Sequence, residues 1–207
     1  MLDAIDWLGH ASFRIEYDGK VIYIDPWEIS DLSKSADIIF ITHSHFDHFS
    51  PSDLLKITTQ KTHLIAPDGC LGIPEVAQLI IVRPGDEKDV LGVKFKSVEA
   101  YNINGQFHPR SNAWVGYVIE LGETTLYHSG DTDLIPEMDN LNVDIALLPI
   151  TPPYTMSAQE AAEAAKRINA KVVIPMHYGK TTDSKDYVDI LRKNLSGDIE
   201  LKVCSSA

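Results

Sequence analysis

The sequence predicts an α/β sandwich, and three observations predict it. Segments of strand length recur along the chain, helix-forming segments enter after them, and His and Asp cluster where the strands end. Such a fold presents its strand ends along one sheet edge, where ligand sites collect.

Residues 4–8, 12–17 and 21–24 alternate as short strands, and Asp18-Gly19 turns the last two into a hairpin. His10 sits in the turn Gly9-His10-Ala11. Asp25-Pro26-Trp27 closes the third strand, where an Asp before Pro is by itself an ordinary turn residue. Residues 38–41 are an apolar run that reads as a buried strand. It feeds His43-Ser44-His45-Phe46-Asp47-His48, and a helix starts at once, with Ser50 as N-cap, Pro51 its first residue and Asp53 three on. Next come a strand over 62–66, a Gly/Pro-punctuated stretch, a short helix over 74–78, a strand over 79–82 and a turn at 83–86. Residues 93–101 alternate again. Residues 102–112 form a long polar loop carrying Phe107-His108, the kind of segment that bears function on a rigid scaffold. A hairpin over 114–121 and 124–127, turned at Gly122, runs into His128-Ser129-Gly130-Asp131-Thr132. Residues 143–148 are a second buried strand ending at Pro149. Ser157 and Glu160 form a capping box before a helix over 158–168, and a strand over 171–174 leads into Pro175-Met176-His177. Asp183 is expected to cap a last helix stopping near Gly197, and residues 199–203 to add a final strand. With no repeat, linker or low-complexity tract, the expectation is one domain over 1–207.

A chain of 207 residues, 44% hydrophobic and 23% charged, is long enough to bury a sizeable core. A net charge of −12 without a Lys/Arg cluster argues against nucleic acid as partner and against an anionic membrane surface. Cys70 and Cys204 are too few for a disulfide framework. The start lacks a basic stretch followed by an apolar one, and no run has the length of a membrane span, so the expected location is the cytoplasm. A homo-oligomer is compatible with the sequence.

Three imidazoles and a carboxylate within six residues are hard to explain as packing. Side chains two apart on an extended strand end point the same way, so His43 and His45 can converge on one metal ion. Asp47 and His48 come where the chain turns into a helix, which swings them towards a second ion. The plainer alternative is a solvated loop with chance histidines; His is the commonest metal ligand and rarely clusters without cause. Other strand ends supply His108, Asp131 and His177, completing seven ligand-type side chains for two ions and a shared carboxylate. Taken alone, His177 is as readily a partly buried histidine and Asp131 a turn residue, though Gly130 would permit close backbone approach to an ion. His128 rivals His108; the loop favours His108, because it can reach over an edge while His128 is still in its strand. His128 is expected to orient a ligand through its other ring nitrogen. His10 is expected near the metals without coordinating them, either orienting a ligand or touching substrate, and His63, on a plain apolar strand, is background.

The string His43-Ser44-His45-Phe46-Asp47-His48 resembles the H-x-H-x-D-H signature of the metallo-β-lactamase superfamily. More narrowly, Trp7-Leu8-Gly9-His10-Ala11, Ile24-Asp25-Pro26, Tyr127 to Thr132 and Pro175 to Gly179 resemble its metal-dependent hydrolase branch, which contains the L-ascorbate-6-phosphate lactonases and the phospholipase D acting on N-acyl-phosphatidylethanolamines. The resemblance covers nearly the whole chain and implies a four-layer αββα sandwich. It also implies His43, His45 and His108 on one ion, Asp47, His48 and His177 on the other, and Asp131 bridging. Asp25 resembles the branch's supporting Asp, hydrogen-bonded to a metal-site histidine.

The reaction expected is hydrolysis by a hydroxide held between two divalent ions, attacking a carbonyl or phosphoryl centre of a small ester, lactone or phosphodiester. Asp131 and Asp47 are the catalytic carboxylates, with Asp131 also accepting the nucleophile's proton. No Gly-x-Ser-x-Gly elbow competes as nucleophile. Zinc is the first expectation for the metal, with manganese, iron or nickel compatible with the same ligands. Tyr154, in Thr151-Pro152-Pro153-Tyr154, is the candidate substrate contact; relatives more often carry glycines at the two prolines, which puts a lactonase's substrate in question. Rival readings are a nuclease of the same superfamily, which should carry a basic surface or an RNA-gripping arm, a di-iron redox protein, which needs an electron-carrier domain, and a non-catalytic metal- or ligand-binding module, against which a complete ligand set argues.

Overall fold

Apolar residues of opposite parity decide the architecture. In the strands over 20–24 and 38–40, Ile22, Ile24, Ile38 and Phe40 point into one core while Tyr23 and Ile39, with Ile41 just past the strand, point into another, so this sheet is covered on both faces. The structure is a computed structural model that describes residues 1–30, 33–179 and 185–205.

The first sheet contains β1 (Ile5–Gly9), β2 (Ser12–Tyr17), β3 (Lys20–Ile24), β4 (Ile38–Phe40), β5 (His63–Pro67) and β6 (Gln78–Val82) in chain order. Its first three strands are antiparallel, and β3 to β6 run parallel. The second holds β7 (Glu87–Val90), β8 (Val93–Glu99), β9 (Val115–Leu121), β10 (Thr124–His128), β11 (Ile145–Pro149), β12 (Val172–Met176) and β13 (Glu200–Leu201), again in chain order. Here β7 to β10 are antiparallel and β10 to β13 parallel.

Phe13, Ile15 and Phe40 of the first sheet meet Phe95, Tyr117, Ile119 and Leu147 of the second in the central core. Helix α1 (Pro51–Ile57) lays Leu54 and Ile57 on the outer face of the first sheet. The small buried face of α2 (Ala158–Arg167), Ala161, Ala162 and Ala165, packs with Val188 and Leu191 of α3 (Lys185–Asn194) on the second. The four layers are therefore helix, sheet, sheet, helix. Both predicted caps form: Ser50 accepts from the Asp53 amide, and Ser157 with Glu160 closes a capping box.

Several local expectations are corrected. No helix forms over 74–78; five residues starting at a proline are too few to repay nucleation, and Gln78 instead pairs with His63 in the parallel ladder. Strand β7 escaped the sequence reading because its Glu87-Lys88-Asp89 run is exposed at a sheet edge and shows no alternation. Strand β12 runs through Pro175 to Met176, which is tolerated because β13 pairs only as far as Val173. The proposed cap Asp183 lies outside the described residues.

Strands β3, β4, β10, β11 and β12 all end at one edge. There the sheets are stitched by Tyr117 Oη donating to the Ile41 carbonyl at 2.7 Å, the Val115 amide to Thr42 at 3.1 Å and the His177 amide to His10 at 2.9 Å.

Candidate metal centre

Asp131 is the centre of the cluster. Its carboxylate oxygens lie 2.9 Å from His177 Nε2, 3.3 Å from His48 Nε2, 3.3 Å from His108 Nε2 and 4.0 Å from His43 Nε2. His43 Nε2 in turn lies 3.1 Å from His45 Nδ1, and Asp47 Oδ2 lies 3.8 Å from His177 Nε2. All seven residues singled out as ligands are thus brought to one place. Ligand atoms of His43, His45 and His108 lie within 4.8 Å of one another, and those of Asp47, His48, His177 and His10 form a second such group.

The supports behind these side chains say which nitrogen faces inward. His48 Nδ1 donates to Asp25 Oδ2 at 2.7 Å. His108 Nδ1 donates at 3.0 Å to Asn102 Oδ1, whose oxygen character is set by two further amide donors, Phe107 and His108. Asp25, fully buried, accepts from the Thr42 amide at 2.7 Å and from Thr42 Oγ1 at 2.5 Å. Thr42 Oγ1 therefore accepts from His43 Nδ1, 2.9 Å away. With Nδ1 occupied, Nε2 of each ring faces the cluster, where it offers a lone pair once it carries no proton. His48 Nε2, His108 Nε2 and Asp131 Oδ1 are buried there without a hydrogen-bond partner. Unpartnered buried acceptors are costly, and lone pairs converging on one point call for a cation. The donor set of imidazole and carboxylate suits borderline divalent ions. The residues fit a metal.

Charge follows the same pattern. Burial pushes Asp131 up, but the His177 and His48 imidazoles outweigh it and hold the carboxyl well below the usual range. Burial also opposes ionisation of Asp47, yet the hydrogen bond from His10 and the charge of His48 bring it to about 2. Burial lowers His10 to about 4 despite Asp47. Near neutral pH His10 is uncharged and donates Nε2–H to ionised Asp47 at 3.0 Å. His43 and His45 are lowered by burial, and His48, although burial opposes it, is raised well above its ordinary value by Asp131 and Asp25. Positive charge is demanded between those two carboxylates.

His128 differs from expectation. Its Nε2 donates to the Ala11 carbonyl at 2.9 Å and its Nδ1 accepts from the Gly130 amide at 3.1 Å, so both nitrogens serve backbone and neither orients a ligand side chain. Gly130 serves the packing of the sheets: a Cβ there would stand 3.0 Å from Thr42 Cβ and from the Val115 carbonyl. His63 bonds the Lys61 carbonyl, away from the cluster. Three of the non-glycine residues with left-handed backbone are His10, Asp25 and His177 (φ 53°, 45° and 60°), a strained geometry concentrated at this edge.

The sequence reading passed over Thr42 and Asn102, each holding an imidazole, and Trp114, whose ring lies 4.7–5.6 Å from those of His43, His45 and His108. A polar residue immediately before the histidine string, and one opening the loop that carries His108, were the available signals. Above the cluster opens a cavity of about 350 Å³, lined also by Phe46, Phe107 and Tyr154.

The sequence model of the family described as "Beta-lactamase superfamily domain" matches residues 4–177. A UPF0173 metal-dependent hydrolase of Caldivirga maquilingensis is 34% identical over 84% of this chain and 81% of its own. One from Myxococcus xanthus is 36% identical over 84% of this chain and 70% of its own. The crystal structure of a Parabacteroides distasonis protein assigned to the metal-dependent hydrolases superposes with a TM-score of 0.86 at 32% identity, covering 97% of this chain and 91% of that one. Igni18, a metallo hydrolase from Ignicoccus hospitalis, shares the fold at 24% identity and a TM-score of 0.76, over 98% of this chain and 95% of its own. This chain belongs to the metallo-β-lactamase superfamily, within its UPF0173 metal-dependent hydrolases.

Proposed function

We propose that residues 1–207 act as one hydrolase domain that binds two divalent ions, zinc first among them, and cleaves a small ester, lactone or phosphodiester. The observation that carries this reading is the convergence of unpartnered, buried ligand atoms from both sheets around Asp131. His43, His45 and His108 would hold one ion, Asp47, His48 and His177 the other, with Asp131 shared. Such ions, when bound, supply a water acidic enough to lose its proton near neutral pH and a Lewis-acidic face for the oxygen that gathers charge.

The chain's own part is to position and to move a proton. Asp25 and Asn102 fix the tautomers of His48 and His108, so each presents Nε2. Asp131 is ionised, and its oxygens can take the proton of the attacking water and return it to the leaving group. His10 keeps Asp47 ionised and oriented through Nε2–H. Thr151 Oγ1 donates to the His177 carbonyl and so holds that strand end in its left-handed turn.

Elemental analysis of protein purified without chelator tests the reading, run beside Asp131→Ala and His108→Ala. About two ions per chain are expected in the parent, with loss in both variants, and with hydrolysis of model esters, lactones or phosphodiesters abolished by chelator. A parent that takes up no ion even from added zinc or manganese would overturn it.

A further inference from the structure

We infer that the substrate bears an uncharged aryl or branched apolar group beside the bond that is cleaved, which excludes sugar phosphates and other substrates gripped by a distal anion. The inference rests on the hydrolase reading above and deepens it.

The cavity has a polar floor and apolar walls. The floor is His45, Asp47, His108, Asp131 and His177. One wall is Phe46, from the histidine turn of the first sheet; it is 73% exposed and stands edge-on to Trp27, ring centroids 6.1 Å apart. The opposite wall comes from the second sheet, where Phe107 and Tyr154 pack at 4.8 Å between centroids. An aromatic residue left 73% exposed beside a buried polar centre wastes apolar surface unless something covers it. The two walls line one space of about 350 Å³, at the small end of the ~300–1,000 Å³ typical of small-molecule sites.

Among the described residues, no cation at the mouth is free to hold a distal anion, and no lysine or arginine lines the cavity. Arg110, the one cation of the 102–112 loop, is engaged elsewhere: Nε and Nη2 donate to Glu99 at 2.8 and 2.9 Å, Nη2 also to Glu137 at 2.7 Å, and the guanidinium lies over the Tyr101 ring at 4.9 Å. A phosphate recognised away from the reacting centre needs such a cation or a row of amides. Flat apolar groups need only ring faces. For an ester of this kind, water's oxygen bonds to the acyl carbon, the C–O bond breaks, and the alcohol leaves carrying a proton from that water.

The test uses the protein as purified, with the neutral, uncleavable ketone 2-acetonaphthone as calorimetric probe. In parallel, kcat/KM is compared for 4-methylphenyl acetate and 4-acetoxyphenyl phosphate, which share one scissile bond. The expected result is binding of the ketone, weakened about fivefold to tenfold by Phe46→Ala and by Tyr154→Ala, and a preference for the neutral ester that shrinks in both variants. Phe46 and Tyr154 are exposed, so these changes spare the fold. Absence of ketone binding, or binding unchanged in both variants, would overturn the inference, as would a preference for the phosphate-bearing ester. Wall-dependent binding without turnover of any ester, lactone or phosphodiester would support the walls and sink the hydrolase reading; turnover indifferent to the walls would do the reverse.

Discussion

The carboxylate of Asp25 is fully buried and yet fixes the floor. It takes the Thr42 amide and hydroxyl and His48 Nδ1, and through Thr42 it reaches His43. Asp25→Ala leaves a buried amide and an imidazole without their acceptor, so we expect a loss of about 3 kcal/mol in urea unfolding. Metal content should fall with it, although no proposed ligand has been touched. A variant that unfolds like the parent would show that water replaces the carboxylate. At this scale His43, His45, Asp47 and His48 were legible because they are contiguous and their spacing has a geometric meaning. The bond from Asp25 to a metal-site histidine was legible only through the family resemblance, because Asp25 and His48, 23 residues apart, become contacts only once β3 and β4 lie side by side; contacts between elements leave no local signal. His128 was misread for the same reason: its partner Ala11 belongs to the other sheet.

Among the elements, α1 shows how a helix end is tied to the site. Asp53 sits at its first turn with both oxygens in use, accepting from the Glu28 amide at 3.0 Å, the Ile29 amide at 3.3 Å and Lys56 Nζ at 2.7 Å. Burial raises this carboxyl, but Lys56, Ser50 and the Glu28 amide outweigh it and the value is lowered. A carboxyl that titrates lower in the folded chain stabilises it fully above the unfolded value of ~3.9 and ceases to do so as pH falls through the folded value. Asp53→Asn should therefore lower stability at pH 7 by about 1–2 kcal/mol and flatten the loss of stability as pH falls below the unfolded value of ~3.9. Denaturation curves across that window decide it; parallel curves for parent and variant would mean that Asp53 carries no such linkage. The helix starts were readable because capping is local chemistry. Gly116 was not, since what it avoids is the backbone of the next strand: a Cβ there would stand 2.7 Å from the Ser129 carbonyl.

For the molecule as a whole, the proposed centre joins two sheets. The first contributes His43, His45, Asp47 and His48, the second His108, Asp131 and His177. An ion bound to the folded chain and not to the unfolded one raises stability in proportion to the logarithm of its concentration over Kd, about 2.7 kcal/mol at a hundredfold excess. Added zinc should raise the thermal midpoint of chelator-treated protein by several degrees and leave Asp131→Ala where it was. Equal shifts in both would place the stabilising ion elsewhere. The α/β sandwich was legible from the strand meanders, the helices entering after them and the recurrence of ligands at strand ends, and its four layers only through the family resemblance. The order of strands within each sheet was not, because parallel neighbours leave no turn between them to read.

The imidazoles and carboxylates of the floor are held by backbone and by the buried Asp25 and Asn102, whereas the rings of Phe46, Phe107 and Tyr154 take no part in those bonds and two of them reach solvent. The two parts share turns, with Phe46 between His45 and Asp47 and Phe107 beside His108, but not the bonds that lock the floor. A substitution in a wall leaves the locked floor standing, so inherited variation can alter which molecules fit without first dismantling what is done to them. This chain is built to change its diet and keep its chemistry.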